Sequence, residues 1–323
     1  MRMTWKACIA TLLAMIVLPL PALAQDFPAR PLRMIVPYPP GGPTDIVARL
    51  LAQEMATGLK QPVVIENVPG AGGNIGAAAA VRAESDGYTM VLGTLQNLGI
   101  NPHLFKLDYD PIRDLDAVSL VVKNPNVMLA NVDLPARNLQ EVIEFARANP
   151  GKVSYASSGA GSSTHLSGEL LNRMANLDMT HVPYKGSAPA LIDLIGGQVQ
   201  ISFDNVVSAF PHLSAGKVRA IAVTTSERVP SLPDVPTMKE SGLPGFETAG
   251  WSAIMVPAGT PPAVVQRLNE EVNRSLRQPA LAERLKKDGA YPEPGTAAEM
   301  AAYLKSESAK WGDVIREAGI RLE

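Results

Sequence analysis

Residues Ser154 to Leu166 read SYASSGAGSSTHL: a strand-like start runs through glycine and serine straight into a helical pattern. Backbone N–H groups in the first turn of a helix lack intrahelical partners and sit at the positive end of its dipole, so this turn attracts a carboxylate or phosphate. The same device occurs twice more. Pro37 to Asp45, PYPPGGPTD, follows the apolar run Leu32 to Val36, and Pro69 to Gly76, PGAGGNIG, follows VVIEN at Val63 to Asn67. Three strand, glycine, helix turns point to a small anionic ligand.

Outward from these turns, short apolar or β-branched runs alternate with helical patterns, which predicts an α/β fold with parallel sheets covered by helices. The expected strands are Leu32 to Val36, Val63 to Asn67, Thr89 to Gly93, Lys152 to Ala156, Thr180 to Pro183, Gln200 to Phe203 and Val218 to Val223. A helix over Pro43 to Leu59 places Ile46, Val47, Leu50, Leu51 and Met55 on one stripe, and Asn138 with Glu141 opens another as a capping-box-like pair. Ala117 to Asp133 and Gly250 to Pro257 are extended and apolar. Two such segments suit a hinge between two lobes. The expected division is 25–124 with 257–323 as lobe 1, 131–249 as lobe 2, and crossings at 125–130 and 250–256. The tail from Pro261 to Ile320, with Val265, Leu268, Val272 and Leu276 at helical spacing, is expected to pack back on lobe 1.

Met1 to Ala24 reads as a secretory signal: Arg2 and Lys6, an apolar core from Ala7 to Leu20, then Ala22-Leu23-Ala24 as a cleavage site. The core is shorter than the ~18 apolar residues of a membrane span. The only cysteine, Cys8, lies inside the signal, so no thiol chemistry is expected in the exported, soluble product. Removing 24 of 323 residues leaves 299, with 27 basic and 31 acidic side chains and a formal charge of −4. Nucleic acid is not an expected partner, and an anion must be captured locally against an unfavourable overall charge.

Taken in order, VPYPPGGPTDIVAR, ENVPGAGGNIGAAAA, SYASSGAGSSTHLSGELL, HVPYKGSAPALIDLIGGQV, FDN, VRAIAVT, LPDVPTMKESG and MVPAGTPPAVVQRLN span the mature chain. Together they resemble the periplasmic solute-binding receptors of the tripartite tricarboxylate transporters, the Bug receptors. The resemblance implies a two-lobed clamshell of the periplasmic binding protein type, with two crossing hinge strands, closing on a small mono- or dicarboxylate. It implies that the loop Tyr38 to Thr44 and the loop Ser157 to Thr164 hold one carboxylate, partly through water. It also implies a periplasmic location, membrane permease subunits as partners, and Gln96 and Asn97 at a variable loop that reads the distal end of the ligand. Val68 stands where many relatives carry arginine.

On this reading Tyr38, Gly41, Gly42, Thr44, Ser158, Gly159, Gly161, Ser162, Ser163 and Thr164 bind the ligand. The glycines have an alternative as plain turn formers, and Ser162, Ser163 and Thr164 as helix caps. Tyr184 and Lys185 end a strand beside another glycine turn, with Lys185 the cation placed to balance a carboxylate. Asp204 ends a strand too and would accept from a water, a backbone amide, or a ligand hydroxyl or amine. Trp251 fits core packing or a cleft wall equally. His165 reads as a packing or hydrogen-bonding residue rather than a catalyst.

No enzyme pattern competes. PGAGGNIG fails as a dinucleotide loop, because a glycine is needed at the position of Ile75. No nucleophile elbow, HExxH or Walker loop is present, and His103, His165, His181 and His212 lack ligand spacing. A monomeric receptor without metal or cofactor is expected. A sensor kinase is the alternative partner, since docking on one needs the same closure.

Overall fold

The computed structural model describes residues 27–184, 186–317 and 319. The signal segment, Cys8 and Lys185 lie outside the described residues.

Strand β1 (Leu32–Val36) is followed by α1 (Pro43–Leu59), β2 (Val63–Asn67), α2 (Asn74–Val81), β3 (Thr89–Thr94) and α3 (Asn101–Leu104). β1 pairs in parallel with β2 and β3, so all three carboxyl ends point the same way. Strand alternation assigns the faces. Leu32, Met34 and Val36 pack with Leu51 and Met55 of α1, while Ile35 joins a core on the opposite face. Ile46, expected on the buried stripe of α1, is 41% exposed, because Val47, Ala48, Leu51 and Met55 already fill the face toward the sheet.

The chain then enters β4 (Leu115–Asn131), α4 (Leu139–Ala148), β5 (Ser154–Ser157), α5 (Ser163–Ala175), β6 (Thr180–Pro183), α6 (Ser187–Ile195), β7 (Ile201–Asn205), α7 (Val206–Ser214) and β8 (Val218–Val223). It finishes with β9 (Ala249–Pro257), α8 (Pro262–Leu276), α9 (Pro279–Lys287), β10 (Tyr291–Pro292) and α10 (Ala297–Glu317). β5 is parallel to β6 and β7 in a second sheet. The strand path is β2-β1-β3-β9-β4-β7-β5-β6, with β8 and β10 also paired to β4.

β4 serves both sheets. Its residues 115–125 pair with β9, and 126–131 pair with β7 and β8. The expected crossings at 125–130 and 250–256 lie in β4 and β9. Residues 126–130 are already inside the second sheet, and 250–256 lie inside the first, where β9 also pairs with β3. The change of sheet falls at Pro125 to Asn126 in one strand. In the other it falls at Thr248, whose N–H donates to Thr224 O at 2.9 Å and whose carbonyl accepts from Thr224 Oγ1 at 2.5 Å.

The tail packs back on the first sheet only in part. α8 does so: Leu268, Val272 and Leu276 are buried, each contributing roughly 1.5–3 kcal/mol of apolar transfer, and Arg274 bonds both the side chain and the carbonyl of Glu54. α10 reaches further. Trp311, Val314 and Ile315 share one core with Leu166 and Leu170 of α5, and Arg173 pairs with Glu317 at 2.6 Å. Its apolar face lies against both halves of the chain, which periodicity alone does not assign.

Candidate anion-binding site

The loop after β1 is poor in donors, because Pro37, Pro39, Pro40 and Pro43 carry no N–H. Gly41 adopts φ +82°, and its N–H donates to Asp45 Oδ2 at 2.9 Å. Asp45 is 2% exposed and also accepts from Arg49 Nε at 2.8 Å and Asn67 Nδ2 at 2.9 Å. Burial alone would raise its carboxyl, but the bonds from Arg49, Gly41 and Asn67 outweigh it and hold the group down at about 2. The helix terminus at Gly42 to Thr44 thus already carries an anion of its own, and the Gly41 amide is engaged by it.

Tyr38 leaves the same loop toward β3. Its hydroxyl lies 2.6 Å from Thr94 Oγ1 and 3.4 Å from Gln96 Oε1, and burial pushes it up to about 12, so it remains a neutral phenol. Gln96 opens a π-helical turn, Gln96–Ile100, and its side chain lies against Gly72, where a methyl would come within 3.1 Å of Nε2. Asn97 turns inward instead of toward a ligand. It is fully buried, its Oδ1 accepts from Thr94 N–H at 2.7 Å, and its Nδ2 donates to Gly73 O at 3.3 Å. Val68 packs against the shared core.

The loop after β5 is differently filled. Gly159 at φ +143° and Gly161 at φ +75° shape it. Four of its N–H groups are spent internally: Ser158 to Thr164 Oγ1, Gly159 to Ser157 Oγ, Gly161 to His165 Nδ1 and Ser162 to Gly159 O. Ser162 caps α5 by accepting from His165 N–H at 3.2 Å, and the Thr164 hydroxyl braces Ser158 and Ser162. The glycines and Ser162 therefore build the loop. Ala160, which the sequence did not single out, together with Ser163 and Thr164, keeps an N–H without a partner among the described residues. No acidic residue sits in the first turn of α5, so its dipole is uncompensated there.

Ser163 joins this loop to the hinge. Its Oγ accepts from Asn126 Nδ2 at 3.2 Å, and a methyl on Gly250 would stand 3.6 Å from it. Two residues along β9, Ser252 pairs with Thr94, the partner of Tyr38. At about 3.3 Å per residue, some 7 Å of strand connects the two halves of the site.

Other expected residues point elsewhere. The Tyr184 hydroxyl donates to Asp193 Oδ2 at 2.7 Å, and burial with that bond pushes it up to about 12. Trp251 is 1% exposed and donates to the buried Glu307 of α10, which resolves its two readings in favour of packing. Asp204 is 1% exposed; Oδ1 accepts from Ser187 Oγ at 2.5 Å and Asn205 N–H at 2.7 Å, while Oδ2 has no partner among the described residues. Burial raises its carboxyl to about 6. Among the described residues, no group of three or more His, Cys, Asp or Glu is placed to hold a metal.

Two surface concavities lie outside these loops. One of about 580 Å³ runs between α8 and α10, and Asp116, the wrong sign for an anion, is its only charged lining residue. The other, about 530 Å³, collects Arg284, Lys286 and Lys287, which complement the carboxyl end of α9.

Comparison with known proteins settles the family. Residues 47–320 match the model of the tripartite tricarboxylate transporter family receptor. The chain belongs to this receptor family. The receptor is 38% identical over 308 residues to BugT of Bordetella pertussis, covering 94% of each chain. Among solved structures it is similar to Rpa4515 of R. palustris with adipate, at TM-score 0.78 and 38% identity over 92% of this chain and 99% of that one. It is also similar to MatC of Rhodopseudomonas palustris with bound malate, at TM-score 0.74 and 40% identity over 90% and 100%. The chain has the two-lobed clamshell fold expected from the sequence, in keeping with its similarity to the periplasmic binding protein BugD, and the family is one of solute-binding receptors rather than enzymes.

Proposed function

We propose that this receptor works in the periplasm, captures a small mono- or dicarboxylate between its two lobes, and delivers it to the membrane permease subunits of a tripartite tricarboxylate transporter. The observation that carries the reading is the start of α5: a helix terminus with no acidic residue in its first turn, N–H groups at Ser163 and Thr164 without a partner among the described residues, and the Ser163 hydroxyl against the hinge strand. The bound adipate and malate of the relatives support the ligand class. Tyr38 and Gln96 across β9 supply a neutral donor and an amide for the rest of the ligand.

A ligand bonded to both lobes binds the closed state more tightly and shifts the hinge toward it. The test is a thermal-shift screen of organic acids on the mature protein, followed by calorimetry and small-angle scattering. A ligand at 100 times Kd should add about 2.7 kcal/mol of stability, and the radius of gyration should fall. Shifts with sugars or cationic amino acids and none with carboxylates would sink the ligand class; binding without compaction would sink the clamp. Loss of uptake on deleting genes for the permease subunits, with binding intact, would support delivery.

A further inference from the structure

Behind the loop of α5 lies a ring stack, buried at His165 and Tyr155 and half-buried at His181, that ligand capture alone does not account for. His165 and His181 stack with centroids 3.8 Å apart and planes 16° off parallel, and Tyr155 stacks on His181 at 5.0 Å and 25°. His165 is 4% exposed and Tyr155 is fully buried. Each imidazole reaches one of the two positive-φ glycines, His165 directly and His181 through Ser157. His165 Nδ1 accepts the Gly161 N–H at 3.1 Å, while His181 Nε2 lies 2.7 Å from Ser157 Oγ, which in turn accepts the Gly159 N–H at 3.2 Å.

We infer that the ring nitrogens of the stacked His165–His181 pair are the positioning device of the carboxylate loop, holding Gly161 directly and Gly159 through Ser157 so that the N–H groups of Ala160, Ser163 and Thr164 stay free for the ligand. This rests on the functional reading above. The bond from Gly161 fixes the tautomer of His165, because an N–H can donate only to a bare ring nitrogen. The His165 proton then sits on Nε2, facing Glu169 Oε1 at 3.7 Å, and Glu169 is itself held by the Tyr155 hydroxyl at 2.5 Å. Burial lowers His165 to about 3 and His181 to about 4, so both rings stay neutral and able to accept. Without the acceptor at Nδ1, the Gly161 N–H would be free to turn outward, and the φ +75° bend would be held only by the bonds from the Ser162 N–H and hydroxyl to Gly159 O.

Two substitutions separate positioning from mere packing. His165→Asn keeps an acceptor near the place of Nδ1 and loses the ring; His165→Phe keeps the ring and loses the acceptor. Apo hydrogen exchange over residues 158–164 and calorimetry with adipate and malate are the readouts. The expected result is near wild-type exchange and affinity for His165→Asn, within roughly threefold, against faster loop exchange and about tenfold weaker binding for His165→Phe. Ser157→Ala, which keeps both rings, should accelerate exchange at Gly159 in the same way. Equal behaviour of the two His165 variants, or wild-type exchange in His165→Phe and Ser157→Ala, overturns the inference. Should the wild-type protein bind no carboxylate, the functional reading fails, and the exchange pattern still decides the role of the stack.

Discussion

At the start of α1 the chain supplies its own anion, the buried carboxylate of Asp45; at the start of α5 it supplies hydroxyls and no charge. Both loops follow a parallel strand, both contain glycine at positive φ, and both open a long helix. The contrast teaches that a glycine turn at a helix terminus is a site only where its positive end is left uncompensated. The turn before α6 is intermediate: Asp204, brought from β7, accepts the Ser187 hydroxyl in the first turn of that helix.

The largest effect should come from emptying the filled loop. Asp45→Ala removes acceptors for Gly41, Arg49 and Asn67, and is expected to cost about 2–4 kcal/mol in urea unfolding at pH 7. Because the folded carboxyl sits at about 2, below its ordinary 3.8, its contribution is complete above about 4 and fades as pH falls toward 2. Asp45→Asn should therefore differ most from wild type at neutral pH. A neutral Asp45→Ala would erase the contrast between the loops.

Asp204 has the opposite sign. Its folded value of about 6 lies above 3.8, so its charge burdens the fold above pH 6 and the burden lifts as pH falls through 6 toward 4. Asp204→Asn is expected to raise stability by on the order of 1–3 kcal/mol at pH 8 relative to its effect at pH 4. A pH-independent difference in melting temperature would remove Asp204 as a buried, uncompensated charge.

Smaller effects test the open loop. Ser162→Ala deletes the cap of α5 and Thr164→Val deletes its brace; each should lower apo stability by about 1–2 kcal/mol. Ser163→Ala should weaken carboxylate binding roughly tenfold, with an apo cost of about 1 kcal/mol for the lost bond from the buried Asn126 amide. Calorimetry beside an apo melt reads both. Loss of stability without loss of affinity at Ser163 would return the whole loop to ordinary helix capping.

Much of the frame was legible because local chemistry marks it. Leu32–Val36, Val63–Asn67, Thr180–Pro183 and Val218–Val223 are strands with the boundaries their apolar runs predict, and α1 spans Pro43–Leu59 between a proline start and Lys60 in the left-handed region. The site was legible as loops and not as atoms. Asn97 and Trp251 looked available because their partners, Gly73 and Glu307, lie 24 and 56 residues away. Asp45 had a readable signal in retrospect: an acid three residues after the cap, with Arg49 one turn further on.

The order of strands, glycine turns and helix starts, and with it the family, was determined by the sequence alone, because hydrophobic period, glycine and proline act within a few residues. Which amides remain free was decided by the tertiary structure. Asn67 must approach Asp45, His181 must stack on His165, and β9 must carry Gly250 to Ser163 and Ser252 to Thr94 before any donor is spent or spared. A hydrogen bond depends on distance in space rather than along the chain, so the open terminus of α5 exists only once the sheets have brought its neighbours into place.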